Sequence, residues 1–161
     1  MITVKDAMKT SVDTVHVDDR LTVAWKKMIQ KDLNAIVVVQ GRQELAGILT
    51  RQDMLRRFYP DYQQFVRDIS STEDPEDIAV ECQECFIGKV KEVMQKRVIF
   101  THPHVLLMRA LARMLAHRVD QLPVLNENNH VVGIISKSDM FKALYGVGKH
   151  IVPFTRKKKS K

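Results

Sequence analysis

The segment Gly47-Ile48-Leu49-Thr50-Arg51-Gln52-Asp53-Met54 recurs as Gly133-Ile134-Ile135-Ser136-Lys137-Ser138-Asp139-Met140, so that Asp139 lies 86 residues after Asp53. Slid on itself by that offset without a gap, the chain also matches Val4-Lys5 to Val90-Lys91, Met8 to Met94, Val12 to Val98, His16 to His102 and Leu21 to Leu107. Ala24, Met28 and Val38 meet Ala110, Met114 and Val124 in the same register. The register holds over about 56 positions, with apolar positions in phase where identity fails, and chance rarely produces that. A unit of about that size is marginal alone and gains most by covering its apolar face with a copy of itself.

Both copies predict the same order of elements. A short helical turn around Met8 or Met94 leads into a brief strand, Val12 to His16 or Val98 to Thr101. A helix follows, with apolar stripes Leu21, Ala24, Trp25, Met28 and Leu107, Ala110, Leu111, Met114 at i, i+3, i+4, i+7. Two β-rich runs come next, Ala35 to Val39 and Leu45 to Leu49 in the first copy, separated by Gln40-Gly41-Arg42-Gln43; the second copy turns at Asn126-Glu127-Asn128-Asn129. A closing helix starts at Thr50 or Ser136 and runs to Tyr59 or Tyr145. The expected fold is therefore α/β, two tandem βαββα repeats over 1–59 and 89–146. An insert at 60–88 carries two helical stripes, Tyr62, Phe65, Val66, Ile69 and, after the cap-like Glu73-Asp74-Pro75-Glu76-Asp77, Ile78, Cys82, Cys85, Phe86. It reads as a helical hairpin that covers an edge of the body or contacts a partner.

Size and charge narrow the function. The 161 residues, 45% hydrophobic, suffice for one compact body or two halves sharing a core, and no apolar run approaches the ~18 residues that cross a bilayer, so no membrane partner is expected. The opening Met1-Ile2-Thr3-Val4-Lys5-Asp6 lacks the form of a secretory signal, and a cytoplasmic location is expected. The net charge of +7 is concentrated at the end: Arg156, Lys157, Lys158, Lys159 and Lys161 supply five of it, in a basic tail over 147–161. A solvated tail of this kind does not make a nucleic-acid-binding protein.

The repeated motif places a hydroxyl and a carboxylate three residues apart where a strand gives way to a helix: Thr50 with Asp53, and Ser136 with Asp139. Such an end attracts phosphate, the hydroxyl adds a hydrogen bond, and the carboxylate accepts both hydroxyls of a ribose cis-diol. Arg51 and Lys137 stand beside the hydroxyls. Gly47 and Gly133 permit close approach of another chain segment or of a ligand such as a purine ring. Equally, Thr/Ser-x-x-Asp is a variant of the helix capping box and needs no ligand. Duplication copies caps as faithfully as it copies sites.

Together the strand-ending Gly-Ile-x-Thr/Ser-x-x-Asp-Met, Leu122-Pro123-Val124 before the last strand, and the duplicated element order resemble a tandem pair of cystathionine β-synthase (CBS) domains, a Bateman module, over about three quarters of the chain. The resemblance implies two clefts related by a pseudo-twofold axis, a flat homodimer, and an adenosine ligand such as AMP, ADP, ATP or S-adenosylmethionine. It implies that Thr50 and Ser136 hold phosphate and that Asp53 and Asp139 hold ribose. It also implies a small hydroxyl near the base, met by Thr14 in the first copy, where the second has Phe100; the first copy in turn has Val37 at the position of Pro123. Unequal clefts are expected, one working and the other weak or empty. No enzyme and no required cofactor are expected. The protein is expected to report occupancy to a separate effector, or else to serve as a ligand-free interaction module.

Other constellations carry less. Cys82-Gln83-Glu84-Cys85 has half a zinc-site spacing without a second pair, and both thiols fall on an apolar stripe. His102-Pro103-His104 matches no ligand template. Gly146-Val147-Gly148-Lys149 superficially resembles a phosphate loop, but Ala143 stands at the first glycine position and His150 replaces the Ser/Thr, so a helix end is expected.

Overall fold

The computed structural model describes residues 1–58 and 85–151, with the backbone alone over 147–151. Most of the insert, including Tyr62, Phe65, Val66, Ile69, Ile78 and Cys82, and the basic tail from 152 lie outside the described residues. The elements are α1 (Val4–Ala7), β1 (Thr14–His16), α2 (Leu21–Gln30), β2 (Ala35–Gln40), β3 (Glu44–Thr50), α3 (Arg51–Arg56), α4 (Val90–Val93), α5 (Leu107–His117), β4 (Gln121–Leu125), β5 (Val131–Ser136) and α6 (Lys137–Ile151). The mixed α/β architecture and its two repeats match the expectation. Helix α6 continues beyond Tyr145 through the Gly146-Val147-Gly148-Lys149 stretch.

The chain divides into two compact units that do not coincide with the two repeats: Asp13–Val98 forms one, and Met1–Val12 with Ile99–Lys161 forms the other. Each unit thus joins the body of one repeat to the leading segment of the other. In the Asp13–Val98 unit the sheet order is β1-β2-β3, with β1 parallel and β3 antiparallel to β2. The backbone of Gln95 forms a bridge with Ile48 on β3, with N–H to O distances of 2.8 and 3.0 Å. In the other unit β4 pairs with β5, and Lys9 forms the same bridge with Ile134 at 2.9 Å both ways. Both hairpins break register at equivalent places, between Val38 and Val39 and between Val124 and Leu125.

The expected strand at Val98 to Thr101 is reduced to a single bridge between Thr101 and Val124, whereas Thr14–His16 makes three pairs. Two prolines explain the difference: Pro123 stands where the first copy has Val37, and Pro103 stands where it has Val17, whose N–H donates to Val39 O at 3.0 Å, and neither proline brings an N–H to the ladder.

The core of each unit follows the expected stripes. Leu21, Ala24 and Met28 pack with Val15, Ile36, Val38, Leu49, Met54 and Val90; Leu107, Ala110 and Met114 pack with Val4, Leu122, Val124, Ile135 and Met140. Val90 and Val4, both fully buried, arrive on the exchanged segments. Trp25 stands at the edge of its stripe, where Phe58 and Phe86 meet it edge-on with ring centroids 5.6 and 5.1 Å away. Phe58 and Phe86 also meet one another at 5.2 Å, so the described residues flanking the insert are tied to α2. Across the same unit Asp18 pairs with Lys89 and Lys91 at 3.2 and 2.8 Å, and these hydrogen-bonded ammonium groups hold its carboxyl at a pKa of about 2.

The exchanged segments are seated on glycine. A Cβ at Gly47 would lie 2.6 Å from Met94 Sδ and 2.8 Å from the Gln95 carbonyl oxygen; at Gly133 the same positions are Met8 Sδ at 2.7 Å and Lys9 O at 2.9 Å. Gly47→Ala and Gly133→Ala are each expected to destabilise by about 1–3 kcal/mol, because the backbone contact cannot yield as a side chain can. Gly146→Ala, with open space around its Cβ in a helix, should stabilise by about 0.5–1 kcal/mol. Urea denaturation checks this, and an unchanged midpoint for Gly133→Ala would show that the leading segment is not held at that glycine.

Candidate functional site

Strand β3 delivers Thr50 to the N-cap of α3 in extended backbone conformation, and β5 delivers Ser136 to the start of α6. Thr50 donates to Asp53 Oδ2 from its N–H at 2.9 Å and from its hydroxyl at 2.7 Å, while the Asp53 N–H returns a bond to Thr50 Oγ1 at 3.1 Å. Ser136 and Asp139 repeat the pattern at 3.0, 2.6 and 3.1 Å. Both motifs are therefore closed capping boxes. Each hydroxyl has committed its proton to the carboxylate, so donating to a phosphate requires it to turn away from the aspartate.

The carboxylates are nearly enclosed, with Asp53 9% and Asp139 8% exposed. Their remaining oxygen is reached from the exchanged segments, by different chemistry in each unit. Gln95 Nε2 donates to Asp53 Oδ1 at 2.9 Å and to Oδ2 at 3.0 Å, whereas Lys9 Nζ stands 3.2 Å from Asp139 Oδ1. Burial pushes the Asp139 carboxyl up, but the hydroxyl and N–H of Ser136, with the Lys9 ammonium, outweigh it and hold the group below its usual value. Lys9 and Gln95 were not among the sequence candidates. They follow the matched Met8 and Met94, and their difference in charge was the available signal.

Arg51 and Lys137 point to the loops before β2 and β4. Arg51 donates to Leu33 O at 2.8 Å and to Asp32 at 2.6 Å; Lys137 donates to Asp120 at 2.8 Å. Asp32 and Asp120 are exposed, and such pairs contribute little and release their cations readily. Gly47 and Gly133 admit a chain segment, one of the two occupants their sequence allowed. Thr14 pairs with Val37, and its carbonyl accepts from Lys27 Nζ at 2.8 Å. Pro123 is buried in β4, and its carbonyl accepts from Thr101 N at 3.0 Å. Phe100 meets His102 edge-on at 5.6 Å, and the His102 Nδ1 is 2.9 Å from Leu125 O. Cys85 Sγ donates to Arg57 O at 3.1 Å.

The family model for the CBS domain matches residues 4–59 and 90–146. A homoserine O-acetyltransferase of Methanosphaerula palustris is 29% identical over 145 residues, covering 90% of this chain but 24% of that enzyme; the chain thus spans about a quarter of that relative's length. Among solved structures, CBSX2 in complex with AMP superposes with a TM-score of 0.71 at 17% identity, covering 92% of this chain and 99% of that one. The CBS domain pair of protein MJ0100, in complex with 5′-methylthioadenosine and S-adenosyl-L-methionine, gives 0.64 at 21% identity, covering 89% and 99%. At these identities the structural likeness is one of fold.

Because the folded-state Asp139 carboxyl ionises below its usual 3.8, the stability it adds is present above that value and disappears as pH falls through the lower folded-state value. The difference in urea midpoint between the wild type and Asp139→Asn should be constant from about pH 5 to 8 and shrink on acidification below about pH 4. A difference that persists undiminished in stronger acid would assign the effect to something other than the carboxylate charge.

Proposed function

The chain belongs to the CBS domain family, and from that membership we propose that it is a regulatory module that binds an adenine nucleotide or S-adenosylmethionine and signals occupancy to an effector protein. The observation that carries this is the doubled, enclosed hydroxyl–carboxylate pair at Thr50/Asp53 and Ser136/Asp139. Asp53 and Asp139 accept the ribose diol, and Thr50 and Ser136 turn to phosphate, with Arg51 and Lys137 released from Asp32 and Asp120 to join them. Adenosine ligands in the structures of CBSX2 and protein MJ0100 support that class of ligand.

The exchanged segments supply a route for the signal. A diol that takes the outer oxygen of Asp139 competes with Lys9, and one that takes Asp53 competes with Gln95. Those residues belong to the segments seated on Gly133 and Gly47, so occupancy shifts how the segments are held. The shift is as large as the ligand's differential affinity for the two arrangements, and the effector senses one of them. Phe100, bulkier than Thr14, makes the two sites unequal, with fewer than two ligands bound per chain. The module itself performs no catalysis.

The protein acts as a homodimer. Met108 and Leu115 on α5, and Phe141 and Tyr145 on α6, are large exposed apolar side chains on two helices that pack together, a face that a second copy would cover. Sedimentation velocity should give twice the 18.6 kDa chain mass, and Phe141→Asp should shift it to monomer. A monomeric wild type would remove the dimer from this account.

A ligand-free interaction module is the second possibility, favoured by the closure of both capping boxes, in which hydroxyl, carboxylate and backbone N–H satisfy one another. Isothermal titration of nucleotide-stripped protein with AMP, ATP and S-adenosylmethionine separates the two. Saturable binding is expected, abolished by Asp53→Ala or by Asp139→Ala at the working site, with stabilisation of about 2.7 kcal/mol at one hundred times the dissociation constant. No heat and no shift in Tm with any of the three would favour the ligand-free module.

A further inference from the structure

We propose that the Met1–Val12/Ile99–Lys161 unit carries a second small-molecule site, separate from the Ser136–Asp139 motif, that takes a carboxylate on a short aliphatic body. It is a cavity of about 380 Å³ lined by Thr101, Val105, Arg109, Ala110 and Arg113. Thr101 is 1% exposed, and its hydroxyl has no hydrogen-bond partner. A buried hydroxyl is ordinarily paired, and an orphan is unfavourable unless something supplies the missing bond. Thr101 bridges Val124, whose side chain belongs to the core formed with Leu107, Ala110 and Met114, so the hydroxyl lies on the side of the sheet that faces α5. Ser136 pairs with Gln121, about 10 Å further along β4 and on its opposite edge, which keeps the two sites apart.

The cations are placed to match. Arg109 and Arg113 stand four residues apart on one face of α5. Among the described residues the Arg109 guanidinium has no ion-pair or hydrogen-bond partner. Arg113 spends Nη1 on Phe100 O at 2.8 Å and keeps its other donors. A guanidinium fork recognises a planar carboxylate with two parallel bonds, and Val105 and Ala110 offer apolar contact to the rest of the molecule.

The first repeat provides an internal control. At the equivalent positions it has Val15, Asp19, Val23, Ala24 and Lys27. Val15 is closed into the apolar core, Asp19 accepts from His16 N at 2.8 Å, Val23 brings no charge, and Lys27 donates to Thr14 O at 2.8 Å. The hydroxyl and the free guanidinium are therefore features of the second copy, and the shared fold does not require them.

The test is a titration of the full chain with sodium butanoate, sodium chloride holding ionic strength constant, followed by amide chemical shifts. Saturable shifts at Thr101, Val105 and Ala110 are expected, with affinity about tenfold weaker in Arg109→Gln, which loses a charge-assisted bond. Thr101→Val preserves shape and should also weaken binding several-fold. If the hydroxyl is only an orphaned core group, Thr101→Val will bind butanoate as the wild type does, and the proposal fails. It fails equally if the shifts do not saturate, or if inorganic phosphate binds there as tightly as butanoate. The cavity shares no residue with the Ser136–Asp139 motif, so none of these outcomes depends on whether a nucleotide binds.

Discussion

The close seating of each leading segment on a glycine of the other repeat's hairpin is the contact on which the structure depends. Met94 and Gln95 approach too closely to leave room for a Cβ at Gly47, and Met8 and Lys9 do the same at Gly133. The seat does three things at once. It pairs the outer edge of β3 and of β5 with a backbone bridge, it brings a fully buried valine into each core, and it sets a polar side chain against each motif carboxylate. An edge strand left open invites pairing with other chains, so the bridge also protects the sheet. Neither repeat, cut out as a contiguous segment, would retain the valine, the bridge and the polar contact together. The duplication is thus a mutual dependence as well as an economy of sequence.

That dependence also explains why two copies of one motif are not chemically equal. The hydroxyl, carboxylate and glycine recur almost unchanged because each is needed to close the cap or to admit the segment. The residue that reaches the carboxylate is under neither constraint, and it has become Gln95 in one unit and Lys9 in the other. An amide and an ammonium satisfy an aspartate equally well as hydrogen-bond donors, but they leave different net charge beside it. An anionic ligand meets an extra cation at Asp139 and none from Gln95 at Asp53, a difference that stands alongside the contrast of Phe100 with Thr14.

Much of this was legible in the sequence, and the part that was not has a specific cause. The hairpins, the apolar stripes and the capping boxes are local, written in spacings of two, three and four residues, and they appear where those spacings placed them. The exchange of segments is different. In a duplicated chain the leading segments of the two copies carry nearly the same apolar pattern, so Met8 fits Gly47 on paper as well as it fits Gly133. Local pattern cannot separate pairing within a copy from pairing between copies. The shortened strand at Thr101 follows from a local cause, since Pro123 and Pro103 lack the N–H groups of Val37 and Val17. The turning of Arg51 and Lys137 toward Asp32 and Asp120 was not predicted, because those acids lie across a strand hairpin from the cations, at no helical spacing.

The same few atoms hold the fold and present the chemistry of the motif. Thr50 and Ser136 each donate two hydrogen bonds to a carboxylate oxygen, one from the hydroxyl and one from the backbone N–H. A ligand that engages those oxygens must take bonds now used to start α3 or α6, or to hold Gln95 or Lys9. Binding at such a place cannot be silent, because each bond made to the ligand is one withdrawn from a helix start or a seated segment. A site with spare, uncommitted donors would bind more tightly and change less. The enclosed caps have little to spare, which suits the regulatory role proposed for the module.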